Sequence, residues 1–224
     1  ELEDIDALIL LSERFTKDSI PASGKLSVIA RFGVGFDTVD VEACTQNDIA
    51  VCITPDGVRR PVAVSILTLM LALTGKLLVK DRLTRLGPDG FAARNEHMGL
   101  GLVGRTLGSV GIGNIGAEMF RLAAPLGMKF IAHDPFADLS LATELGVDLV
   151  DLDKVFAQSD VISINCPLTP DTHHLVNASR LSQMKPTAYL INTARGPIVD
   201  QVALTQALRN GSIAGAGLDV FEVE

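Results

Sequence analysis

The first part of the chain alternates short apolar runs with polar stretches. The runs Ile5–Leu11, Val28–Phe32 and Ile49–Ile53 have the length and boundaries of strands, and Val39–Asn47 has the spacing of a short helix. The pattern therefore predicts alternating strands and helices over this part of the chain.

A longer helical segment follows, from Val62 to about Arg85, and it is the longest in the sequence. Prolines and a glycine, the last of them Pro61, interrupt the pattern just before it. We place a domain boundary here, with one domain over residues 1–58 and a second over residues 59–224.

From Thr106 onward, apolar strands alternate regularly with helical segments. Strands that lead into helices in this rhythm are typical of a parallel, doubly wound α/β sheet. The expected strands are Leu107–Ile112, Lys129–His133, Val161–Asn165, Ala188–Asn192 and Ala214–Asp219.

Composition narrows the classes of partner. The formal net charge is −8 at pH 7, whereas binding to phosphate backbones needs clustered Lys and Arg, so we expect no nucleic-acid partner. Cys44, Cys52 and Cys166 are odd in number and lack C-x-x-C spacing. They predict neither disulfides nor a metal site, and a cytoplasmic setting fits best.

No apolar run approaches the ~20 residues that a membrane span requires. The long apolar stretch Val62–Val79 is interrupted by Ser, Thr, Gly and Lys residues, so we predict a buried helix and no membrane partner. The sequence starts at Glu1 close to an apolar run and stops at Glu224 just after a strand-like segment, so we expect a fragment of a longer chain.

Two stretches match the dinucleotide-binding pattern G-x-G-x-x-G, Gly99–Gly104 and Gly111–Gly116. The motif works only where a strand delivers the glycines to a helix N-terminus, whose free N–H groups and dipole attract a pyrophosphate. The first match precedes a strand, whereas the second follows Leu107–Val110 and opens the helical run Ala117–Ala124. The residues predicted to hold a dinucleotide are therefore Gly111, Gly113, Asn114, Ile115 and Gly116.

An acidic residue stands where such a fold places a ribose-binding carboxylate. Asp134 ends the strand Lys129–His133, eighteen residues past Gly116. A carboxylate there accepts hydrogen bonds from both ribose hydroxyls and repels a 2′-phosphate, so NAD is expected in preference to NADP. The alternative is that Asp134 only forms a turn before Pro135.

Three later segments carry a more specific likeness. In order and spacing, Cys166–Thr172, Ile191–Gly196 and Ala216–Glu224 resemble signatures of the D-isomer-specific 2-hydroxyacid dehydrogenase family, which includes glyoxylate and hydroxypyruvate reductases and phosphoglycerate dehydrogenases. Ala30–Asp40 and the glycine loop are similar to that family as well. The resemblance implies a Rossmann sheet with a partial, smaller, flavodoxin-like substrate domain. It also implies an enzyme that interconverts a 2-keto acid and a D-2-hydroxy acid with NAD, in the cleft between its domains.

The resemblance assigns the chemistry to Arg195 and Glu224. A planar guanidinium can bind the carboxylate and the carbonyl of a keto acid in a fork while it polarises the carbonyl, and this is the role implied for Arg195. Glu224, five residues after Asp219, stands where the family motif places the glutamate of its Glu-His dyad. The histidine of that dyad lies downstream in the family, so the catalytic histidine is missing from this sequence. The histidines that do not match its position, each expected to be structural or at the surface, are His97, His133, His173 and His174.

Further site residues are implied by the same likeness. Val34 and Gly35 resemble the loop whose backbone N–H groups hold the substrate carboxylate. Asp219 resembles the family residue near the nicotinamide ring, with a strand-ending aspartate as the alternative. Cys166 has no base placed to activate it, so it is not expected to be a nucleophile. The remaining residues expected around the cofactor are Cys166, Pro167 and Thr172 at the adenosine half and Thr193, Ala194 and Arg195 at the nicotinamide side.

The start of the long helix departs from the family, because Val64 stands where many members carry an acidic residue. Arg59 and Arg60 stand just before this helix. Either they face the cleft and tune the choice of substrate, or they form a solvated helix start, and the identity of the substrate acid stays open.

Two other functions fit the same scaffold. An NAD(H)-sensing, corepressor-like interaction protein keeps the fold and much of the site, and another Rossmann enzyme, such as an amino-acid dehydrogenase, shares the glycine loop. Arg195 together with Glu224 favours the 2-hydroxyacid dehydrogenase, because a binding module has no chemical need for either. The family and the surplus apolar surface of Val62–Val79 predict a homodimer.

Overall fold

The computed structural model describes residues 2–223, and the chain forms two compact units that divide between Arg59 and Arg60. Each unit contains its own parallel sheet and its own apolar core. Most of the residues singled out above belong to the second unit.

The first unit contains a small parallel sheet whose three strands lie in chain order, with Ile29 fully buried at its centre. Asp40 begins the helix Val41–Gln46, because its Oδ1 accepts the backbone N–H of Ala43 at 2.9 Å and so satisfies a free donor of the first turn. The elements are β1 (Ala7–Leu10), β2 (Val28–Arg31), α1 (Val41–Gln46) and β3 (Ala50–Cys52), with a 3-10 turn at Lys17–Ser19. They confirm the alternation predicted for this part of the chain.

The second unit alternates strands and helices over most of its length. Its first helix begins in the first unit and continues into the second. The helices are α2 (Pro55–Thr74), α3 (Leu77–Arg85), α4 (Pro88–Ala92), α5 (Asn114–Ala123), α6 (Leu139–Glu144), α7 (Leu152–Gln158), α8 (Ala178–Gln183) and α9 (Gln201–Arg209). The strands are β4 (Thr106–Val110), β5 (Lys129–His133), β6 (Val147–Leu149), β7 (Val161–Ile164), β8 (Tyr189–Asn192) and β9 (Gly215–Leu218).

The six strands of the second unit run parallel in the order β6–β5–β4–β7–β8–β9. The order reverses at β4, whose Val110 pairs with His133 of β5 on one side and with Ile164 of β7 on the other. Ligands of such sheets bind beside this reversal, at the carboxyl ends of the strands. The doubly wound α/β sheet predicted from the sequence is confirmed.

Helices cover both faces of this sheet. One apolar core includes Met70 of α2 and Phe120 of α5, and a second core includes Phe156 of α7 and Leu204 of α9. The strands β7 and β8 are buried at every position, as expected for parallel strands that are covered on both sides.

The helical segment predicted to start at Val62 is two helices, and its predicted start was wrong. α2 begins at Pro55 and passes through Pro61, so the proline that suggested a boundary lies inside the helix, where one backbone hydrogen bond is missing. The break comes later, where Lys76 takes a left-handed conformation with φ +52° before α3 begins.

The helix α2 is only partly buried, which corrects the prediction of a buried helix over Val62–Val79. Ala63 and Ile66 are fully buried on one face, whereas Val64 and Leu71 on another face are about half exposed. A helix with one apolar face against a core and apolar residues left in solvent has surface available for a partner.

The buried face of α2 packs on the sheet of the second unit. A Cβ built at Gly217 of β9 would lie 3.0 Å from Leu69 and 3.1 Å from Leu73, so a glycine lets the helix approach the strand closely. By length and composition alone α2 could cross a membrane, but this is weak evidence, because core helices of soluble proteins pass the same test.

The strand Lys129–His133 has the predicted bounds, and the other predicted strands lie within one or two residues of theirs. The sequence pattern missed β6 because this strand has three residues and an exposed Asp148 at its centre. Such a short edge strand has too little apolar surface to leave a period in the sequence.

Candidate functional site

The glycine loop Gly111–Gly116 lies at the reversal of strand order, directly after β4. Gly111 has φ +97°, a conformation that residues with a side chain rarely adopt, and Gly113 caps the N-terminus of α5. The first N–H groups of a helix lack partners within the helix, and the helix dipole adds positive potential there. This strand, loop and helix form the arrangement that holds a dinucleotide diphosphate in such folds.

The glycines of the loop have different surroundings. A Cβ at Gly113 would meet no atom within 4 Å, so the space beside it is open. A Cβ at Gly116 would lie 2.6 Å from the backbone oxygen of Gly111, and a Cβ at Gly111 would lie 2.8 Å from the carbonyl carbon of Asn165. The lack of side chains at Gly111 and Gly116 therefore serves internal packing, whereas at Gly113 it leaves room outside.

Three polar side chains support this loop on its sheet side. The hydroxyl of the fully buried Ser109 donates to the carbonyl oxygen of Gly111 at 2.5 Å. Because that proton is used, Ser109 Oγ accepts from Asn165 Nδ2 at 2.8 Å, and the second amide proton of Asn165 reaches Ser163 Oγ at 3.1 Å. These hydrogen bonds between protein groups fix the position of the Gly111 carbonyl.

The other glycine match, Gly99–Gly104, lies at the opposite edge of the sheet. The N–H of Leu100 donates to the carbonyl oxygen of Thr74, and the N–H of Gly104 donates to that of Gly127, both at 2.7 Å. Gly127 lies two residues before the start of β5, so this loop lies at the amino ends of the strands. The prediction that it leads into the sheet is confirmed.

Asp134 lies at the carboxyl end of β5, beside the glycine loop. Its Oδ2 accepts the N–H of Ile112 at 2.9 Å, and its Oδ1 accepts the N–H of Phe136 at 2.9 Å. The carboxylate thus adjoins the loop and also forms the turn that the sequence offered as the alternative. A carboxylate oxygen can accept a second hydrogen bond, so these contacts are compatible with a hydroxyl ligand.

A shallow, open recess of about 350 Å³ extends from Asp134 towards β6 and α7, and its walls include His133, Asp151 and Lys154. The ring of His133 is held through Nδ1, which lies 3.1 Å from the carbonyl oxygen of Val150. The recess therefore lies at the carboxyl ends of β5 and β6. Within residues 2–223 no group of three or more His, Cys, Asp or Glu side chains is placed to hold a metal ion.

The loop after β7 is closed by Thr172. Its hydroxyl donates to the carbonyl oxygen of Pro167 at 2.7 Å and accepts the N–H of Thr169 at 2.7 Å. Cys166 begins the loop, and burial raises the pKa of its thiol to about 11. Such a thiol is protonated at neutral pH and is a poor nucleophile.

Arg195 lies in the turn that follows β8, and the buried Asn192 shapes this turn. Asn192 Oδ1 accepts the N–H of Ala194 at 3.0 Å, and its Nδ2 donates to the carbonyl oxygen of Arg195 at 2.9 Å. The partly buried side chain of Arg195 donates from Nη1 to the carbonyl oxygen of Ala194 at 2.7 Å. A guanidinium presents five N–H donors and can serve several acceptors at once.

Thr193 stands in the same turn, and its hydroxyl is unusual. Its Oγ1 is buried and has no hydrogen-bond partner among the residues that the structure describes. A buried polar atom without a partner is unfavourable by about 1–3 kcal/mol, so a donor or acceptor from a bound molecule would stabilise this site.

Asp219 follows β9, and its N–H donates to the carbonyl oxygen of Asn192 at 3.0 Å. The exposed Asp219 is thereby joined to the end of β8, next to the turn that contains Arg195. Glu224, the predicted dyad glutamate, lies outside the described residues.

Val34 and Gly35 belong to the first unit, in the loop after β2. The preceding Gly33 has φ +135°; its N–H donates to Thr54 Oγ1 at 3.0 Å, and its carbonyl oxygen accepts the N–H of Thr54 at 2.9 Å. The loop is thus tied to the segment that follows β3, at the carboxyl ends of the strands of this unit.

Arg60 forms an ion pair that the sequence pattern did not reveal. Its Nη1 lies 2.9 Å from Oε1 of Glu118, a side chain of α5 that is 8% exposed, and Arg121 lies 3.7 Å from the other oxygen. The ion pair joins α5 to α2. Arg59 lies 3.4 Å from Asp56 on its own helix.

Sequence reasoning missed two arrangements near this sheet edge. One is the network of Ser109 with Asn165, and the other is a contact of 2.8 Å between His174 Nε2 and Glu222 Oε1. The partners lie 56 and 48 residues apart, so no local pattern marks them. Ser109 gives a weak indication of the first arrangement, because a polar side chain inside a buried strand needs a hydrogen-bond partner.

The comparison with protein families points to one family along the whole chain. Residues 67–224 match the sequence model of the "D-isomer specific 2-hydroxyacid dehydrogenase, NAD binding domain". Residues 1–66 match the model of the catalytic domain of the same family.

Individual relatives agree with the family match. A glyoxylate reductase of Korarchaeum cryptofilum is 40% identical over 225 residues, which span 100% of this chain and 68% of that protein. A hydroxypyruvate reductase of Thermotoga maritima is 39% identical over 224 residues, which span 100% of this chain and 71% of that protein.

Solved structures agree as well. The D-lactate dehydrogenase of Aquifex aeolicus, in complex with NAD and lactic acid, is similar with a TM-score of 0.89 and 34% identity, over 99% of this chain and 66% of that one. By its two domain matches and these relatives, the chain belongs to the D-isomer specific 2-hydroxyacid dehydrogenase family and contains its NAD binding domain.

Proposed function

We propose that this protein is an NAD-dependent oxidoreductase that interconverts a 2-keto acid and the matching D-2-hydroxy acid by hydride transfer. The observation that carries the proposal is the position of Arg195, whose turn follows β8 on the sheet edge where Gly111 follows β4. A cation for an anionic substrate and an anchor for a dinucleotide therefore share one edge of one sheet. Membership of the dehydrogenase family supports the same activity.

The residues at the carboxyl ends of the strands fit NAD. The open space beside Gly113 suits a diphosphate at the start of α5. The Thr193 hydroxyl, which has no hydrogen-bond partner within residues 2–223, suits a polar group at the far end of the cofactor. In this proposal the carboxylate of Asp134 accepts hydrogen bonds from the ribose hydroxyls. The bound cofactor would supply the group that donates or accepts the hydride. The full set proposed to hold the cofactor is Gly111, Gly113, Asn114, Ile115, Gly116, Asp134, Cys166, Pro167, Thr172, Thr193, Ala194, Arg195 and Asp219.

Arg195 is proposed to bind the substrate and polarise its reacting carbonyl. Its guanidinium fork matches a carboxylate and an adjacent carbonyl oxygen, and it favours the negative charge that develops on that oxygen during reduction. Asn192 keeps the turn in shape through two hydrogen bonds, so the arginine is positioned before the substrate binds.

Two further groups complete the proposed site. Val34 and Gly35 are proposed to hold the substrate carboxylate through backbone N–H groups, in a loop that Thr54 steadies. Glu224 is proposed to hold a histidine in its protonated form, so that the alkoxide receives a proton when a keto acid is reduced.

The two units correspond to two roles in this proposal. We assign residues 1–58 to part of the substrate domain and residues 59–224 to the NAD-binding domain; the division between Arg59 and Arg60 supports this assignment. The named relatives act on glyoxylate, hydroxypyruvate and lactate, which are small acids. We therefore propose a small 2-keto acid as the substrate.

The same reasoning extends to assembly and setting. We propose a cytoplasmic homodimer that binds neither nucleic acid nor membranes, because the net charge of −8 disfavours phosphate surfaces. Large apolar side chains in the second unit are exposed in a segment that follows the sheet-facing part of α2. They are Leu77, Leu78, Leu86, Phe91, Met98 and Val103.

The test is turnover by the full-length protein with NADH and a panel of glyoxylate, hydroxypyruvate and pyruvate. At least one acid should be reduced, and Arg195→Ala should lower kcat/KM for it by about 100-fold or more, because a charge-assisted fork to the substrate is lost. Arg209→Ala, which removes an exposed arginine at the end of α9, should leave kcat/KM unchanged and serves as the matched control.

Tight NADH binding without turnover of any keto acid would contradict the proposal. That result would favour the NAD(H)-sensing interaction protein, which needs the dinucleotide site but no chemistry. Equal losses of kcat/KM in Arg195→Ala and Arg209→Ala would likewise contradict the proposed role of Arg195 in the active site.

A further inference from the structure

We propose that His174 and Glu222 form a positioning pair that holds the Arg195 turn and the segment 219–223 in their working arrangement. The proposal rests on the proposed function, because it concerns the placement of the residues that carry that chemistry. Neither member of the pair is proposed to touch the substrate or NAD.

The contact between the two side chains is short and directional. His174 Nε2 lies 2.8 Å from Glu222 Oε1, and the side chains are 36% and 30% exposed. A carboxylate can only accept a hydrogen bond, so Nε2 of His174 carries the proton and donates it. The stacked ring of His173, 4.1 Å away between centroids, limits the freedom of the imidazole.

Glu222 is also bound on its other side, at the start of α9. Its second oxygen accepts the N–H of Gln201 at 3.4 Å, and its own N–H donates to Gln201 Oε1 at 3.2 Å. The segment after β9 is therefore joined to a helix and to the loop after β7 through one carboxylate.

His174 reaches the Arg195 turn through its backbone. Its N–H donates to the carbonyl oxygen of Pro197 at 2.9 Å. Two residues later, the N–H of Val176 donates to the carbonyl oxygen of Ile198 at 3.0 Å. His174 adopts φ +49°, which is uncommon for a residue with a side chain. A strained conformation of this kind persists where the surroundings hold it, and here the surroundings are Pro197 and Glu222.

The third side of this arrangement is a close approach of two backbones. A Cβ at Gly196 would lie 1.7 Å from the carbonyl oxygen of Phe221 and 2.5 Å from the nitrogen of Glu222. The residue next to Arg195 is thus packed directly against the backbone of the 219–223 segment. Movement of Glu222 must therefore move either the Arg195 turn or the residues next to Asp219.

These contacts give the pair its function. Loops after three strands, β7, β8 and β9, meet at His174, Gly196 and Glu222, and the side-chain hydrogen bond between His174 and Glu222 joins two of these loops. Errors of about 1 Å in the placement of a catalytic group can lower a rate by about 100-fold, so a bond that fixes Arg195 matters for turnover.

Two substitutions of one residue separate this role from general folding. His174→Asn suits the left-handed backbone but is too short to reach Glu222, whereas His174→Gln keeps an amide donor at about the position of Nε2. In the full-length protein, His174→Asn should lower kcat/KM for the keto acid about tenfold while the Kd for NADH changes less than about threefold. His174→Gln should recover most of this loss.

Backbone amide exchange provides a readout that does not need turnover. With NADH bound, exchange of residues 196–199 and 219–223 should be about tenfold faster in His174→Asn than in the native protein, and close to native in His174→Gln. Unchanged amide exchange in His174→Asn, or a loss of NADH affinity as large as the loss of kcat/KM, would contradict the proposed positioning role of His174 and Glu222. If the native protein reduces no keto acid, the proposed function fails. The exchange measurement still tests whether His174 and Glu222 hold the two segments in place.

Discussion

The N–H of Ile112 donates to Oδ2 of Asp134 at 2.9 Å, which joins the glycine loop to the end of β5. The other carboxylate oxygen accepts the N–H of Phe136 at 2.9 Å. Asp134 therefore shapes the loop in addition to its proposed contact with the ribose hydroxyls. The same negative charge beside the loop disfavours a cofactor that carries a 2′-phosphate.

Asp134→Asn should shift cofactor preference towards NADPH. The amide is nearly the same size, but it removes the charge that repels a 2′-phosphate, so the ratio of kcat/KM with NADH to that with NADPH should fall by about tenfold. The melting temperature should fall as well, because the amide nitrogen faces one of the two N–H donors. Asp148→Asn, on the exposed face of β6, is the control and should change neither quantity. An unchanged ratio in Asp134→Asn would exclude this carboxylate from the ribose site.

Alanine substitutions should separate the two duties of the glycine loop. A Cβ at Gly113 meets nothing within 4 Å, so Gly113→Ala should fold normally and raise the Kd for NADH about tenfold or more, because the methyl group occupies ligand space. A Cβ at Gly116 lies 2.6 Å from the Gly111 oxygen, so Gly116→Ala should lower the free energy of unfolding by about 1–3 kcal/mol. Thermal denaturation and fluorescence titration with NADH measure the two effects.

The other glycine match, Gly99–Gly104, supplies the control for the substitutions in the glycine loop. Gly101→Ala also places a Cβ in open space, but at the amino ends of the strands, so neither stability nor NADH affinity should change. A loss of NADH affinity in Gly101→Ala comparable to that in Gly113→Ala would contradict the choice between the two motifs.

The sequence was most informative where function depends on neighbours along the chain. The strand before Gly111 and the helix after Gly116 show in local apolar periodicity, and so does the strand that ends at His133 just before Asp134. The early strands were found for the same reason. The predicted start of α2 was wrong because a proline commonly marks a helix boundary, whereas a helix that packs on a sheet can tolerate a proline near its beginning.

What the sequence could not show depends on pairs that are distant along the chain. Asn165 reaches Ser109 and His174 reaches Glu222 only after the sheet has brought their loops to one edge. Likewise, the ion pair of Arg60 depends on the packing of α2 on α5. One sequence without relatives contains no periodicity that relates such positions, because the relation is set by strand order.

Cys166 should behave as an unreactive thiol whose burial makes stability depend on pH. Burial raises its pKa from 9.0 to about 11, so the neutral form is favoured in the folded state. This contribution to stability is complete below pH 9 and is lost as the pH rises towards 11, because the unfolded thiol ionises first. The difference in melting temperature between the native protein and Cys166→Ala should therefore shift against the native protein over this range.

Chemical labelling checks the same thiol independently. At pH 8 iodoacetamide should modify the exposed Cys52 first and leave Cys166 largely unmodified. Rapid labelling of Cys166 at pH 8 would contradict the assignment of a buried, inert thiol.

The apolar surface around α3 should be the dimer interface. Leu78 is 78% exposed, and Leu77, Phe91 and Val103 in the same part of the second unit are also more than half exposed, which is unusual for side chains of this size in a monomer. Leu78→Glu places a charge in that surface and should weaken dimerisation by about 100-fold, measured by light scattering after size-exclusion chromatography. Leu139→Glu changes a leucine of similar exposure at the start of α6 and should leave the dimer intact. A glutamate at position 78 would be a charge buried without a partner against apolar side chains, which strongly disfavours association. A Leu78→Glu variant that remains dimeric would therefore contradict this interface, and so would a native protein that remains monomeric at every concentration.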